Sequence, residues 1–139
     1  MFYAFDSPFG AISYDWDGEV CHSIVLTRHS GDRQINPVSE WFQHYFEGLS
    51  QTLPPLAEPT TPFQLKLRLG LLSIPAGEVR TYGELAEQLS TSPRALGQAL
   101  GANPFPILIP CHRVISIDGL GGYAYGTDWK KKLLNFEKR

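Results

Sequence analysis

Residues 51–62, QTLPPLAEPTTP, hold four prolines and neither a helical nor a strand period, so no regular element runs through them. Such a stretch is a semi-rigid surface spacer, and it obliges the chain to build its core separately on either side. The expectation is an amino-terminal domain over residues 1–55, a linker over 56–62 and a second domain over 63–139. A chain of 139 residues is long enough for two small domains, and its 42% hydrophobic and 12% aromatic content excludes pervasive disorder.

The two sides have different patterns. Residues 2–6 and 9–14 are rich in aromatic and β-branched types and are parted by Ser7-Pro8; Val20 to Thr27 is a further apolar run after Asp17-Gly18. This predicts a meander of short strands, with Asp17-Gly18 as a hairpin turn rather than the start of a calcium loop, whose other ligands are absent. After Asn36-Pro37, the spacing of Trp41, Phe42, Tyr45, Phe46 and Leu49 predicts an amphipathic helix, with His44 solvent-facing or structural.

From Phe63 the pattern is helical, with Phe63, Leu65, Leu67, Leu69, Leu71 and Leu72 apolar before a stop at Ile74-Pro75-Ala76-Gly77. Thr81-Tyr82-Gly83-Glu84 is a capping box that opens a second helix, buried through Leu85, Ala86 and Leu89. Ser92 as N-cap and Pro93 in the first helical position open a third. Two short helices across a tight turn are either a plain helical hairpin or a helix-turn-helix. Small residues Ala95, Gly97, Ala99, Gly101 and Ala102 would let a narrow groove approach the second of the pair closely. The predicted class is α+β, a small sheet-and-helix domain followed by a mostly helical one.

Charge follows the same division. Residues 1–62 carry 2 Lys/Arg against 8 Asp/Glu, and residues 63–139 carry 10 against 6. The second half is therefore the one suited to a polyanion. Two cysteines, Cys21 and Cys111, make no disulfide framework, and Cys21, His22 and His29 lack a fourth zinc ligand, so no metal is expected. No apolar run approaches a membrane span, and no basic signal region opens the chain. A cytoplasmic protein is expected, nuclear in a eukaryote, with no membrane partner.

In Pro106-Ile107-Leu108-Ile109-Pro110, an apolar run between two prolines holds a rigid buried turn, followed at once by Cys111 and His112. A lone cysteine is most often a small buried hydrophobe. Beside a base it is also the raw material of a thiolate nucleophile. Pro110-Cys111-His112-Arg113-Val114, with Asn103-Pro104 upstream and Gly122-Tyr123 downstream, resembles the active-site motif of the O6-alkylguanine-DNA alkyltransferases, and the likeness runs through most of residues 60–139.

That resemblance implies an RNase H-like first domain of mainly structural role and a helical, winged helix-turn-helix-like second domain that repairs double-stranded DNA as a monomer, moving the alkyl group of O6-alkylguanine, or of O4-alkylthymine, irreversibly onto Cys111. It implies His112 as base through a water, Glu137 orienting His112, and Asn103 as a hinge tying the helix-turn-helix to the Cys111 turn. Tyr82 would help rotate the nucleotide out of the stack and Arg94 would fill the gap. The carbonyls of Cys111 and Val114 would take the guanine amino group and the Ala124 N–H its O6, with Pro106 and Tyr123 as apolar walls.

No cofactor is implied. Arg113 reads as packing or ion pairing, and Lys130, Lys131 and Lys132 as a solvated face. The chain departs from relatives with Ser at 124 and Gly at 125: a phenol ring at Tyr125 is expected to crowd the pocket, favouring methyl over benzyl groups. A non-catalytic DNA-binding protein is the alternative, and such relatives lack the cysteine. A cysteine hydrolase, the third class, would turn over.

Overall fold

The computed structural model describes residues 2–26 and 30–138. The chain separates into two compact units, Met1–Glu58 and Pro59–Arg139.

In the first unit, strands β1 (Phe2–Ser7), β2 (Gly10–Trp16) and β3 (Cys21–Val25) form an antiparallel sheet in the order β1-β2-β3. Ser7 pairs with Gly10 across the first hairpin. At the second, Asp17 Oδ1 accepts from the Glu19 and Val20 amides and Gly18 takes a φ of 95°, so Asp17-Gly18 makes a turn as its composition suggests. Ile12, Tyr14 and Trp16 alternate into the core. Helix α1 (Pro37–Phe46) is capped reciprocally by Asn36 and Ser39, and it buries Val38, Trp41 and Phe42. Phe42 stacks on Phe5 at 5.6 Å between ring centroids.

The spacer is tied down over its first half. The Cys21 amide donates to Pro55 O at 2.9 Å and the Ala57 amide to Cys21 O at 2.8 Å, so Leu56 bridges to β3 and covers part of that exposed edge. Its prolines forbid a full strand pairing, which is why a bridge and no longer ladder forms. His29 and Thr27 lie outside the described residues, and among these no group of three or more His, Cys, Asp or Glu gathers as metal ligands.

In the second unit, Thr61 caps helix α2 (Pro62–Leu72), which buries Leu67, Gly70 and Leu71 while Leu65, Leu69 and Leu72 stay exposed. Strand β4 (Arg80–Thr81) leads directly into α3 (Tyr82–Gln88), whose capping box is formed: Glu84 N donates to Thr81 Oγ1 at 3.1 Å and Thr81 N to Glu84 Oε1 at 2.8 Å. A turn with Ser90 at φ 55° reverses the chain into α4 (Pro93–Gly101), capped by Ser92. The two helices pack as the pair read from the sequence.

Strand β5 (Val114–Ile115) then pairs parallel to β4, and α5 (Thr127–Glu137) closes the unit. Leu71, Ile74, Leu85, Leu96, Phe105, Ile107, Leu108 and Leu133 are all at most 2% exposed and form its core. Burying each such side chain is worth about 1.5–3 kcal/mol before entropy is set against it. Among the described residues no helix is long and apolar enough to cross a membrane.

Candidate active site

The turn before Cys111 is fixed at both ends by one side chain. Asn103, 5% exposed, donates from Nδ2 to Ile109 O at 2.9 Å and accepts the Phe105 amide on Oδ1 at 3.1 Å. Between them Ile107 adopts φ 75°, which a β-branched residue enters only under strain, of about 1–3 kcal/mol. Burial of Ile107, Leu108 and Ile109 pins that conformation, and the Cys111 amide donates to Ile109 O at 2.7 Å. The chain then makes a single 3-10 turn, Cys111–Arg113, and enters β5.

Cys111 is 4% exposed, yet it lines a cavity of about 280 Å³ with Tyr82, Gly97, Leu100, Gly101, Gly122, Tyr123 and Ala124. Its thiol is pushed up by burial; the Asn103 side chain, the Tyr123 hydroxyl and the Lys130 ammonium pull the other way. Cys111 Sγ lies 3.8 Å from Tyr123 Oη. The free protein therefore holds a latent thiol, which becomes a nucleophile on losing its proton to a neighbouring base.

His112 follows Cys111 directly in the chain. It is fully buried, and burial lowers its pKa, aided by Arg113 and Lys130 and opposed by Glu137. A neutral imidazole whose Nε2 lies 2.8 Å from Glu137 Oε2 donates its one N–H there, leaving the Nδ1 lone pair free. Nδ1 is buried and has no hydrogen-bond partner among the described residues, so its lone pair is open to a donor.

Burial would raise Glu137, but hydrogen bonds from His112 and Arg113 outweigh it and hold the carboxyl at about 2. Arg113 clamps it with Nε to Oε1 at 2.9 Å and Nη2 to Oε2 at 2.7 Å, while Nη1 donates to Ile74 O. The geometry resolves Arg113 into ion pairing.

Tyr82 opens α3 and its hydroxyl reaches Gly122 O at 3.4 Å. Gly121, at φ 76°, suits glycine, since any other residue would be strained there and a Cβ would crowd the Tyr82 ring at 3.0 Å. Gly97, Gly101 and Gly122 differ: an added Cβ would touch nothing within 4 Å. Glycine inside α4 weakens the helix by about 1 kcal/mol each, and no neighbour among the described residues requires a bare backbone at Gly97 or Gly101.

The Cys111 carbonyl accepts the Val114 amide and the Val114 carbonyl accepts Lys130 Nζ. Arg94 is exposed in the first turn of α4, one turn before Gly97, and does not line the cavity. Pro106 is buried behind the Cys111 turn and Tyr125 is outside the lining. The Tyr125 hydroxyl instead donates to Asn103 O and its ring meets Tyr123 edge to face at 5.5 Å.

Lys130 departs most from its reading as part of a solvated face: it is fully buried. The signal for it was present, because Lys130, Leu133, Leu134 and Glu137 follow i, i+3, i+4, i+7 along α5, the inward stripe of that helix.

Comparison with known proteins gives these residues a context. Residues 62–139 match the family described as 6-O-methylguanine DNA methyltransferase, DNA binding domain. Two relatives are methylated-DNA–protein-cysteine methyltransferases. That of Metallosphaera sedula is 43% identical over 94% of this chain and 88% of its own; that of Saccharolobus solfataricus is 38% identical over 96% and 92%. Among solved structures, Mycobacterium tuberculosis OGT in complex with DNA superposes with a TM-score of 0.85 at 34% identity, covering 99% of this chain and 92% of that one. The O6-methylguanine-DNA methyltransferase of the archaeon Pyrococcus kodakaraensis gives 0.83 at 32% identity, with full coverage of both.

Proposed function

The chain belongs to the 6-O-methylguanine DNA methyltransferase family, and from that membership we propose that Cys111 is the residue that receives the alkyl group. The protein repairs DNA by transferring an alkyl group from the methylated nucleic acid to its own cysteine. The observation that carries the assignment to Cys111 is its place on an open cavity beside a buried His112–Glu137 pair whose Nδ1 has no partner among the described residues.

The lesion in this reading is O6-alkylguanine, extruded from the duplex because its O6 cannot be reached while the base is stacked. The open glycine face of α4 and the basic balance of residues 63–139 support a close approach by DNA, with Arg94 filling the gap and Tyr82 crowding the neighbouring phosphate. The thiol proton passes through a water to His112 Nδ1, and Glu137 stabilises the resulting imidazolium.

The thiolate sulfur attacks the alkyl carbon, forming an S–C bond as the C–O6 bond breaks, and the proton returns to a guanine ring nitrogen. Charge building on O6 is met by the Ala124 N–H. Pro106 braces the Cys111 turn from behind, and Tyr123 forms the wall against the alkyl group. A thioether has no exchange route of the kind that reverses a disulfide, so each chain acts once. Residues 1–55 serve a structural role, 56–62 link, and 63–139 bind DNA and accept the alkyl group. A free thiol at Cys111 suits a reducing compartment such as the cytoplasm.

The test is intact mass before and after mixing with duplex containing O6-methylguanine. One CH2 should be gained on the peptide holding Cys111, and Cys111→Ala should abolish the gain while still binding the duplex. Methylation that survives in Cys111→Ala would refute the assignment. A purely DNA-binding role is disfavoured by the intact cysteine and its base.

A further inference from the structure

Lys130 sits on α5 with none of its surface exposed. Its Nζ donates to Val114 O at 2.7 Å and to Gly122 O at 2.9 Å, and lies 5.8 Å from the ring centroid of Tyr82 and 6.0 Å from that of Tyr123. It thus joins β5, which follows the Cys111 turn, to the loop that carries Tyr123 and Ala124, both on the cavity wall. Two carbonyls and two ring faces form a cage selective for a cation: a neutral amine would hold it weakly and an apolar side chain would leave both carbonyls short of a donor.

We propose that Lys130 is a positioning residue for the transfer reaction, locking the Gly121–Gly126 loop onto the Cys111 turn and holding its positive charge against the Tyr82 and Tyr123 rings that line the Cys111 cavity. The inference rests on the reading of Cys111 as alkyl acceptor. Two structural facts favour a charge role beside the mechanical one. First, burying an ammonium is costly, and a mechanical tie alone could be made by a neutral donor. Second, the rings it lies against, Tyr82 from α3 and Tyr123 from the loop, line the same cavity as Cys111, and both Cys111 and His112 feel its charge.

Burial lowers Lys130 to about 8, with Cys111 opposing, so the cation is present at neutral pH and is lost above it. The same cation holds His112 down, keeping it neutral and able to accept the thiol proton. Lys130 therefore favours the thiolate directly, while on His112 its charge keeps the imidazole in the neutral form that can accept a proton, at some cost to its basicity.

The test uses the full chain and free O6-methylguanine base, which needs no extrusion, with single-turnover methylation of Cys111 measured from about pH 6 to about pH 9.5. Lys130→Met should slow the reaction about tenfold or more near pH 6.5, the effect of removing a nearby opposite charge from a thiolate. The deficit should shrink towards pH 9, where wild type has itself lost the charge. Lys130→Arg should recover part of the low-pH rate.

The same factor of loss at every pH, with Lys130→Arg no better than Lys130→Met, would show a purely structural role and overturn the charge bias. Should Lys130→Met fail to fold, the wild-type profile decides. Its rate should level off or fall above about pH 8.5, and a rate that rises with thiolate formation throughout would overturn the inference. Absence of methylation on wild-type Cys111 from DNA would instead overturn the underlying reading, so the two failures are distinct.

Discussion

Replacing Glu137 by Gln removes one negative charge from a carboxylate that accepts from His112 and twice from Arg113. Held at about 2 against an ordinary 4.5, the carboxyl contributes about 3 kcal/mol of stability at neutral pH, at about 1.4 kcal/mol per tenfold. Its side chain is 1% exposed, so solvent screening takes little from that figure. A second route agrees: breaking a buried ion pair from one side costs about 3–5 kcal/mol, and a neutral amide with one acceptor oxygen would replace a carboxylate that takes three charge-assisted hydrogen bonds from His112 and Arg113.

Glu137→Gln should therefore lose about 3 kcal/mol at pH 7. Because the folded pKa is depressed, this contribution is complete above the unfolded value of 4.5 and fades as pH falls towards about 2. The gap between wild type and variant should narrow steadily from pH 5 to pH 3. Urea unfolding read by pulse labelling of Cys111, the only cysteine of residues 59–139, reports on the right unit. A loss under about 1 kcal/mol at pH 7, or a gap indifferent to pH, would refute the ion-pair account.

Asn103→Ala strips the Cys111 turn of two buried hydrogen bonds and should destabilise it by about 2–4 kcal/mol, measured by the same unfolding assay. Arg94→Ala should slow repair of duplex DNA far more than reaction with free O6-alkylguanine base, and equal losses on both would remove Arg94 from extrusion. Tyr125→Gly should speed labelling by free O6-benzylguanine, because Tyr123 loses the ring it packs against, while methyl transfer from DNA persists. An unchanged benzyl rate in a folded, methyl-active variant would end the claim that Tyr125 restricts the pocket.

Local rules were legible wherever the information was local. Thr81 with Glu84, Ser92 with Pro93, and Asn36 each announce a helix start through a side chain that reaches only three residues on, and each is found capping. Pairing between β4 and β5 was not legible: each is two residues long, too short for a period, and their parallel register depends on the helices between them. Lys130 was hidden by its neighbours, since Lys131 and Lys132 look alike in sequence, and only the phase of the helix separates the inward member. Tyr125 was read as pocket lining because composition cannot tell which way a ring turns. Its hydroxyl found Asn103 O across 22 residues, a long-range choice with no local trace.

The most direct measurement is the number of methyl groups that one chain can accept. With duplex containing O6-methylguanine in large excess, transfer should plateau at one methyl per chain, all of it on Cys111. Continued transfer beyond one, or a methyl on any other residue, would contradict Cys111 as a single-use acceptor.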